Sequence, residues 1–309
     1  RWYVDYACRD DYGADAAGTS AWAAVWYFAA RHSGAEAEER EGFLTWPEGN
    51  GRLVQQLRQA LPSGSVQRGV LAHAVEPAGE GGWRVHALEA GRPRAFLARQ
   101  VVFAGPRYVA THVVAPFRAQ RPVWADAFAY SPWVVANLHL RRPPEGHGFP
   151  LAWDNVLYES RSLGYVVATH QAPVSHPGGP TVLTWYLPLT APDVRAERER
   201  MLAARYEDYE ALVLTDLSLA HPGIAQDAER LEVMRWGHAM VRPGPGFLWG
   251  GAREAAAASL AGGAGGGESL HFAHSDLGGL ALFEEANWHG VRAAERCLAG
   301  LGRPAASWL

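Results

Sequence analysis

Hydrophobic residues recur with a helical period in three parts of this chain. Residues 19–31 form an Ala- and aromatic-rich run that begins with Thr-Ser, a pattern that predicts a buried helix. A second helix is predicted from about Gly51 until Pro62 stops it, with an apolar face formed by Leu53, Val54, Leu57 and Leu61. Residues 191–221 carry the longest helical pattern, which predicts two helices in succession.

Other segments alternate apolar and polar residues and therefore predict strands. Residues 66–77, 83–91 and 93–99 have this pattern, and glycine-rich turns separate them, as expected for a small antiparallel meander. Residues 100–106 are instead continuously apolar up to a Gly-Pro pair, which is typical of a buried parallel strand.

A second group of strand patterns lies at residues 131–140, 150–158, 163–171, 181–189 and 230–240. These runs are rich in β-branched and aromatic residues, so they predict a largely antiparallel sheet. We therefore divide the chain into an α/β layer system, residues 42–115 and 241–309, and a sheet-and-helix module, residues 116–240, inserted into it. Residues 1–41 are predicted to add a helical part to that module.

The composition supports a buried core and argues against several function classes. Apolar residues make up 48% of the 309 residues, and the net charge is −4 at pH 7. This charge provides no basic surface for nucleic acid or an anionic membrane, and no apolar run approaches the ~18 residues of a membrane helix. Two cysteines do not make a disulfide framework, so we expect a reducing, cytoplasmic location.

The N-terminal residues lead to a further expectation. The chain begins Arg-Trp-Tyr-Val-Asp, without an initiator methionine and without a signal-peptide pattern. We therefore expect a fragment whose upstream part, with any export signal, lies outside this sequence. All 28 Lys/Arg side chains are arginine, because the sequence contains no lysine.

The segment 270–298 carries the pattern that is most informative about function. An alternating run leads to Asp276, Gly278 and Gly279, and an amphipathic helix is expected from about Leu280. Such a helix directs unpaired N–H groups and a partial positive charge at a ligand above the turn, where Asp276 would accept hydrogen bonds from sugar-type hydroxyls. An ordinary strand–turn–helix with a surface acid explains the pattern equally well. The apolar stripe of this helix is predicted to hold Leu280, Phe283, Asn287, Val291, Ala294, Leu298 and Leu301.

The same segment resembles the C-terminal flavin-binding motif of the flavin-containing amine oxidase superfamily. In this resemblance Asp276 stands for the acid at the ribityl–pyrophosphate part of FAD, residues 280–286 for the helix opening at the flavin ring, and residues 288–298 for its continuation. Residues 43–57 resemble the family's Pro-x-Gly-Gly segment, and residues 101–106 resemble its Val-Ile-Val-Ala-x-Pro strand end.

The resemblance implies a fold, a cofactor and a cofactor site. The fold would be α/β, with a glutathione-reductase-like FAD/NAD(P)-binding domain, residues 42–115 and 241–309, and an inserted α+β substrate domain, residues 116–240. The FAD-binding residues would be Asp276, Leu277, Gly278, Gly279, Ala281, Leu282 and Phe283. The implied activity is that of a FAD-dependent oxidoreductase, which transfers a hydride from a substrate C–H bond to the flavin.

The sequence departs from the family in three ways. The opening Gly-x-Gly-x-x-Gly motif is missing, since the glycine run 262–267 neither follows a strand nor opens an apolar helix, so we expect an inactive fragment that lacks the N-terminal βαβ unit. Residues 280–286 lack the family's Gly and Met. The absent lysine, which amine-oxidising members use to hold a water, argues against amine oxidation and leaves a desaturase- or dehydrogenase-type reaction. A non-catalytic binding or assembly protein with a flavoprotein fold is the alternative.

A small-molecule substrate would contact aromatic residues on the strands of the inserted module. The candidates are Trp153, Tyr158, Tyr165, Trp185, Tyr186 and Trp236, although strand aromatics usually belong to a core. Trp236 is the first choice because its strand leads back into the cofactor-side segment. No residue is assigned a catalytic role, and the sequence does not predict the oligomeric state.

Histidines near the C-terminus suggest two other chemistries, which their spacing disfavours. His271 and His274 are three residues apart, so on a strand they face opposite sides and are poorly placed to bind one metal ion. The neighbours His274, Ser275 and Asp276 have diverging side chains and do not form a hydrolase triad. We expect no metal site.

Overall fold

The computed structural model describes most of the chain, namely residues 1–31, 46–79, 81–146, 150–171, 178–263, 266–307 and 309. The chain forms two compact units. Unit 1 consists of residues 1–49 and 130–242, and unit 2 consists of residues 50–129 and 243–309. Residues 32–45, which include the start of the predicted Pro-x-Gly-Gly segment, lie outside the described residues.

The division between the units differs from the expected domain boundaries at residues 116–129. The sequence placed this segment in the inserted module, whereas the structure places it in unit 2. Aromatic contacts explain the difference, because Trp124 packs on Phe117 with ring centroids 5.3 Å apart and Phe128 packs on Phe247 at 5.0 Å. Contacts made far along the chain therefore decide where this segment belongs.

The described residues form nine α-helices. They are α1 (Trp2–Tyr12), α2 (Ala21–Ala29), α3 (Gly51–Gln59), α4 (Arg107–Val113), α5 (Ala115–Ala119), α6 (Val194–Ala203), α7 (Tyr206–Ser218), α8 (Ala252–Ala257) and α9 (Phe283–Gly300). Short 3-10 helices occur at Val123–Ala127, Ala168–Gln171, Ile224–Gln226 and Ser275–Leu277. None of the helices in the described part of the chain is both long and apolar enough to cross a membrane.

The strands of the described residues form three separate sheets. They are β1 (Val70–Pro77), β2 (Trp83–Glu89), β3 (Arg92–Ala98), β4 (Val101–Phe103), β5 (Tyr130–Leu140), β6 (Asp154–Asn155), β7 (Tyr165–Val167), β8 (Thr181–Pro188), β9 (Ala228–Val241), β10 (Leu260–Ala261) and β11 (Glu268–Phe272).

Unit 1 is built on a five-stranded antiparallel sheet with the order β6-β7-β8-β5-β9, as the strand patterns predict. Two predicted strands are much shorter than expected. Residues 150–158 supply only β6, and residues 163–171 supply β7 and a 3-10 helix. Gly164 explains the shortening, because its φ of +92° turns the chain and a Cβ there would lie 1.9 Å from the carbonyl oxygen of Asn155.

Alternating side chains of the central strands form the core of unit 1. Leu138, Leu183 and Trp185 are at most 1% exposed and share one cluster with residues of α6 and α7. The two helices predicted over residues 191–221 are thus confirmed. The burial predicted for residues 19–31 is wrong in part, because Ala23 and Tyr27 are the buried residues of α2.

Unit 2 contains the predicted meander, with β1, β2 and β3 pairing in order. Ala90 and Gly91, with φ of +48° and +76°, form a two-residue connection between β2 and β3. Positive φ at both positions is typical of the hairpin turn that matches the strand twist.

A second sheet of unit 2 has the order β10-β11-β4. β4 pairs in parallel with β11, as the sequence predicts, but its expected burial is wrong because Val102 is 39% exposed. β4 is an edge strand of this sheet, so its side chains lack neighbours on one side. The helix predicted from Gly51 is present as α3, although none of its residues is buried.

Candidate functional site

The predicted strand–turn–helix element is present in unit 2, but its helix begins later than expected. β11 is followed by the 3-10 helix Ser275–Leu277, and α9 begins at Phe283 rather than near Leu280. Gly279, with φ of +76°, turns the chain, and Leu280 is buried before the helix starts. Leu282 occupies the N-cap position and makes no side-chain cap.

Asp276 is buried and already bonded to protein groups. Its Oδ2 accepts a hydrogen bond from the backbone N–H of Arg107 at 2.8 Å, and its Oδ1 lies 3.1 Å from Nδ1 of His274. Arg107 is the first residue of α4, so this carboxylate stabilises the start of that helix. The surface-acid alternative is wrong, because Asp276 is only 4% exposed.

The guanidinium of Arg107 lies in an aromatic cluster that the sequence analysis missed. It is 4.0 Å from the ring centroid of Phe272, 4.6 Å from that of Trp124 and 5.7 Å from that of Phe117. Cation–π attraction of this kind compensates in part for burying a positive charge. The one available signal in the sequence was an arginine directly after the Gly-Pro that ends β4.

The two glycines of the turn are closely packed. A Cβ on Gly278 would lie 1.9 Å from Oε2 of Glu285, and a Cβ on Gly279 would lie 3.0 Å from side-chain atoms of Phe247 and Leu248. Larger residues therefore do not fit here without movement of the surrounding chain. Both positions use the missing side chain of glycine for close approach.

A cavity of about 470 Å³ adjoins this turn, and we call it the α8–α9 cavity. It lies among Leu277, Gly278, α8 and the first half of α9. Its lining includes Arg253, Glu285, Trp288, His289 and Arg292. Cavities of this size accommodate small-molecule ligands.

Arg253 fixes the wall of this cavity. Its guanidinium donates to the carbonyl oxygens of Leu277 (3.2 Å), Gly278 (3.0 Å) and Leu248. Three bonds from one planar cation connect α8 to the glycine turn. The turn is therefore held in one conformation beside the cavity.

Burial perturbs two further side chains of the cavity. Burial lowers the pKa of His289 to about 4, and Arg292 and Arg253 lower it further, so the ring is neutral at neutral pH. Burial raises the pKa of the Glu285 carboxyl, against the opposing effect of Arg253. Nε2 of His289 has no hydrogen-bond partner among the described residues.

The predicted face of α9 is partly wrong. Asn287 and Ala294 are exposed, whereas His289 and Ala293 are the buried residues of the helix. Gly290, expected to allow close packing, has no atom within 4 Å of a Cβ built on it. Of the other predicted cofactor residues, Leu277 is buried, Ala281 and Phe283 are half-buried, and Leu282 is exposed.

The predicted substrate aromatics lie in different environments of unit 1. Trp185 and Tyr165 are buried in the core, so the structure does not support a substrate contact for them. Tyr186 is half-buried, and the exposed members of the set are Trp153, Tyr158 and Trp236. The phenol of Tyr165 lies 2.6 Å from Nε2 of His221, whose Nδ1 donates to the carbonyl oxygen of Glu145.

Half-buried and exposed aromatic residues lie together on the sheet face opposite the core, which we call the aromatic sheet face (Trp133, Val135, Tyr186, Met234 and Trp236). Strand register places Trp133 opposite Trp236, and Val135 between Tyr186 and Met234. The rings of Trp133 and Tyr186 stack with centroids 6.3 Å apart. Alternation along the strands separates this face from the core.

A group of carboxyl side chains near this face was missed by the sequence analysis. Tyr186 donates to Oδ1 of Asp154 at 3.3 Å, and Asp10 of α1 is close enough to Asp154 to perturb its charge. Burial, with repulsion from Asp11 and Asp154, raises the pKa of Asp10 to about 6. No sequence motif connects these residues, since they come from three separate segments.

Comparison with known families identifies the chain. The sequence model of flavin containing amine oxidoreductases matches residues 12–298. This chain belongs to the flavin-containing amine oxidoreductase family. Membership implies a flavin cofactor and oxidoreductase chemistry, and it confirms the resemblance drawn from the motifs. No curated protein matches the sequence.

The fold of this family member also resembles a solved structure, cyclohexylamine oxidase from Brevibacterium oxydans IH-35A. The TM-score is 0.58 and the sequence identity is 16%, so the likeness concerns the fold alone. The match covers 98% of this chain and 64% of the oxidase chain. The chain therefore spans less than two thirds of the length of that enzyme.

Metal chemistry receives no support from the geometry of this amine oxidoreductase. Among the residues that the structure describes, no group of three or more His, Cys, Asp or Glu side chains is arranged to hold a metal ion. Nδ1 of His271 lies 2.7 Å from Ser259 and its Nε2 lies 2.9 Å from Gln100, while His274 contacts Asp276. The two histidines thus have different partners.

Proposed function

We propose that the chain forms FAD-binding and substrate-binding parts of a FAD-dependent oxidoreductase. The family match over residues 12–298 is the observation that carries this proposal. When bound, the flavin accepts a hydride from a substrate C–H bond. In this proposal unit 2 is the FAD-binding domain of the glutathione-reductase-like type, and unit 1 is the substrate domain.

The arrangement of unit 2 fits a flavin. Parallel pairing of β4 and β11, followed by the glycine turn and α9, places an uncapped helix start beside a ligand-sized cavity. The start of such a helix favours electron-rich groups of a ligand. The space that Gly278 and Gly279 leave lets the backbone pack closely at this point.

The residues proposed to hold the cofactor are Asp276, Leu277, Gly278, Gly279, Ala281, Leu282 and Phe283. Within this set Asp276 has a positioning role, because its carboxylate links the start of α4 to the turn. The flavin would be held by the main chain of the turn and helix start more than by charged side chains.

The aromatic sheet face is the proposed substrate surface of unit 1. Trp236 and Met234 expose about half of their surfaces, which offers apolar contact to a small organic substrate. Asp10 and Asp154, close to Tyr186, would favour a positively charged group, such as the ammonium of an amine. Since the chain has no lysine, amines and uncharged alicyclic compounds should be screened together.

We expect Trp236→Ala to raise the KM for a substrate at least fivefold, because the exposed indole provides apolar contact area. Flavin affinity should not change. Trp249→Ala is the matched control, since Trp249 is an exposed tryptophan of unit 2, and it should leave KM unchanged. Equal effects of the two substitutions on KM would contradict the proposed surface.

Flavin binding is the direct test of the proposed function. After incubation with FAD and removal of free cofactor, we expect the protein to keep the visible absorption of bound flavin. Asp276→Ala should weaken FAD binding about tenfold, because the turn loses its link to α4, whereas Asp276→Asn keeps an acceptor and should bind more tightly than the alanine variant.

Asp126→Asn serves as a control, because Asp126 is exposed and lies elsewhere in unit 2. Unchanged affinity in Asp276→Ala would contradict the proposed role of this carboxylate. If the unmodified protein retains no flavin, the non-catalytic binding or assembly protein becomes the better explanation of the fold.

A further inference from the structure

The α8–α9 cavity has a charge balance that disfavours an anionic ligand. Its lining contains two arginines, Arg253 and Arg292, and three carboxylates, Glu254, Glu284 and Glu285. Arg253 is already bonded to carbonyl oxygens. A phosphate would meet more negative than positive side-chain charge here, so an uncharged ligand is favoured.

The shape of the lining indicates a planar ligand. The guanidinium of Arg292 lies 4.5 Å from the ring centroid of Trp288, which forms a stacked pair of flat groups at the cavity. Arg292 forms no ion pair with any described residue. Flat aromatic and guanidinium surfaces of this kind stack against ring systems.

One polar atom of this cavity lacks a partner. His289 is 7% exposed, and its Nε2 has no hydrogen-bond partner in the part of the chain that the structure describes. A buried polar atom without a hydrogen bond is unfavourable and is uncommon in native proteins. A ligand group that pairs with Nε2 would remove this cost.

From these three observations we infer that the α8–α9 cavity receives the uncharged ring system of the flavin and that Nε2 of His289 forms a hydrogen bond to it. The inference rests on the proposed function. The ring edge of an oxidised flavin carries both N–H and carbonyl groups, so it pairs with either tautomer of a neutral imidazole. His289 then contributes to flavin affinity and to the electronic environment of the ring.

The test compares FAD with riboflavin, which has the ring but no phosphate. Binding is measured by flavin fluorescence for the unmodified protein, His289→Leu and His289→Gln, with His73→Leu, an exposed histidine of unit 2, as the control. We expect His289→Leu to weaken both ligands by the same factor, at least tenfold. His289→Gln should restore part of the affinity and shift the absorption band of the bound flavin.

The outcomes separate the inference from the proposed function. If the unmodified protein binds FAD but His289→Leu binds it equally well, the inference is overturned and the function stands. A loss that affects FAD and not riboflavin would also overturn it, because the contact would then be to the phosphate side. If the unmodified protein binds neither flavin, both proposals fail. Should His289→Leu not fold, as judged by circular dichroism, an unshifted spectrum in His289→Gln decides against the inference.

Discussion

Replacing Trp185 with alanine is expected to lower the free energy of unfolding by about 3–5 kcal/mol, the range measured for removal of large aromatic side chains from protein cores. Trp185 is 1% exposed, and its indole N–H donates to Oδ2 of Asp216 at 2.6 Å. The hydroxyl of Ser162 donates to the same oxygen at 2.7 Å. The substitution therefore creates a cavity and leaves Asp216 with one bond fewer.

Denaturant titration of Trp185→Ala and Trp236→Ala measures this difference directly. Trp236 lies on the same sheet but is 51% exposed, so its removal should cost less than about 1 kcal/mol. The pair separates a core tryptophan from one on the aromatic sheet face. A small stability change in Trp185→Ala, together with a raised KM, would instead restore Trp185 as a substrate contact.

Replacing Asp10 with asparagine is expected to stabilise the protein at pH 7.5 by about 2 kcal/mol, since a pKa shift of one unit corresponds to ~1.4 kcal/mol. Burial is the main cause of the raised pKa, about 6, and the charges of Asp11 and Asp154 raise it further. Arg31 and Arg9 act in the opposite direction. Asparagine removes the buried negative charge and keeps the shape.

The sign of the pH dependence follows from proton binding. Between about pH 4 and pH 6 the folded protein holds a proton on Asp10 that the unfolded chain has released, so stability falls as the pH rises through this window. The gain from Asp10→Asn should therefore be near zero at pH 4 and complete above pH 6. Glu229→Gln, at an exposed position of β9, is the control and should show no such trend. A gain that does not vary with pH would refute the assignment.

The sequence predicted the local elements of the fold well where a pattern was strong. The meander of unit 2, the parallel pairing of β4, the two helices α6 and α7 and the antiparallel sheet of unit 1 follow from hydrophobic period and turn residues. The start of α9 was predicted three residues too early, because a helical pattern continues through residues that the turn at Gly279 holds in another conformation.

The candidate site was predictable only as a segment. The order Asp276, Gly278, Gly279 and helix identified the flavin-binding resemblance, and the family match confirms that resemblance. The cofactor roles of these residues stay predictions. Sequence spacing did not show that Asp276 bonds to the start of α4, since Arg107 lies 169 positions away.

The sequence by itself determined the family, the types of the main elements and their order, because these depend on residues close together in the chain. The tertiary structure alone decided which aromatics of unit 1 are core and which are exposed, and it placed residues 116–129 in unit 2. It also brought α8 and α9 together around His289. These features depend on packing between distant segments, and a side chain's burial is set by what covers it rather than by its own identity.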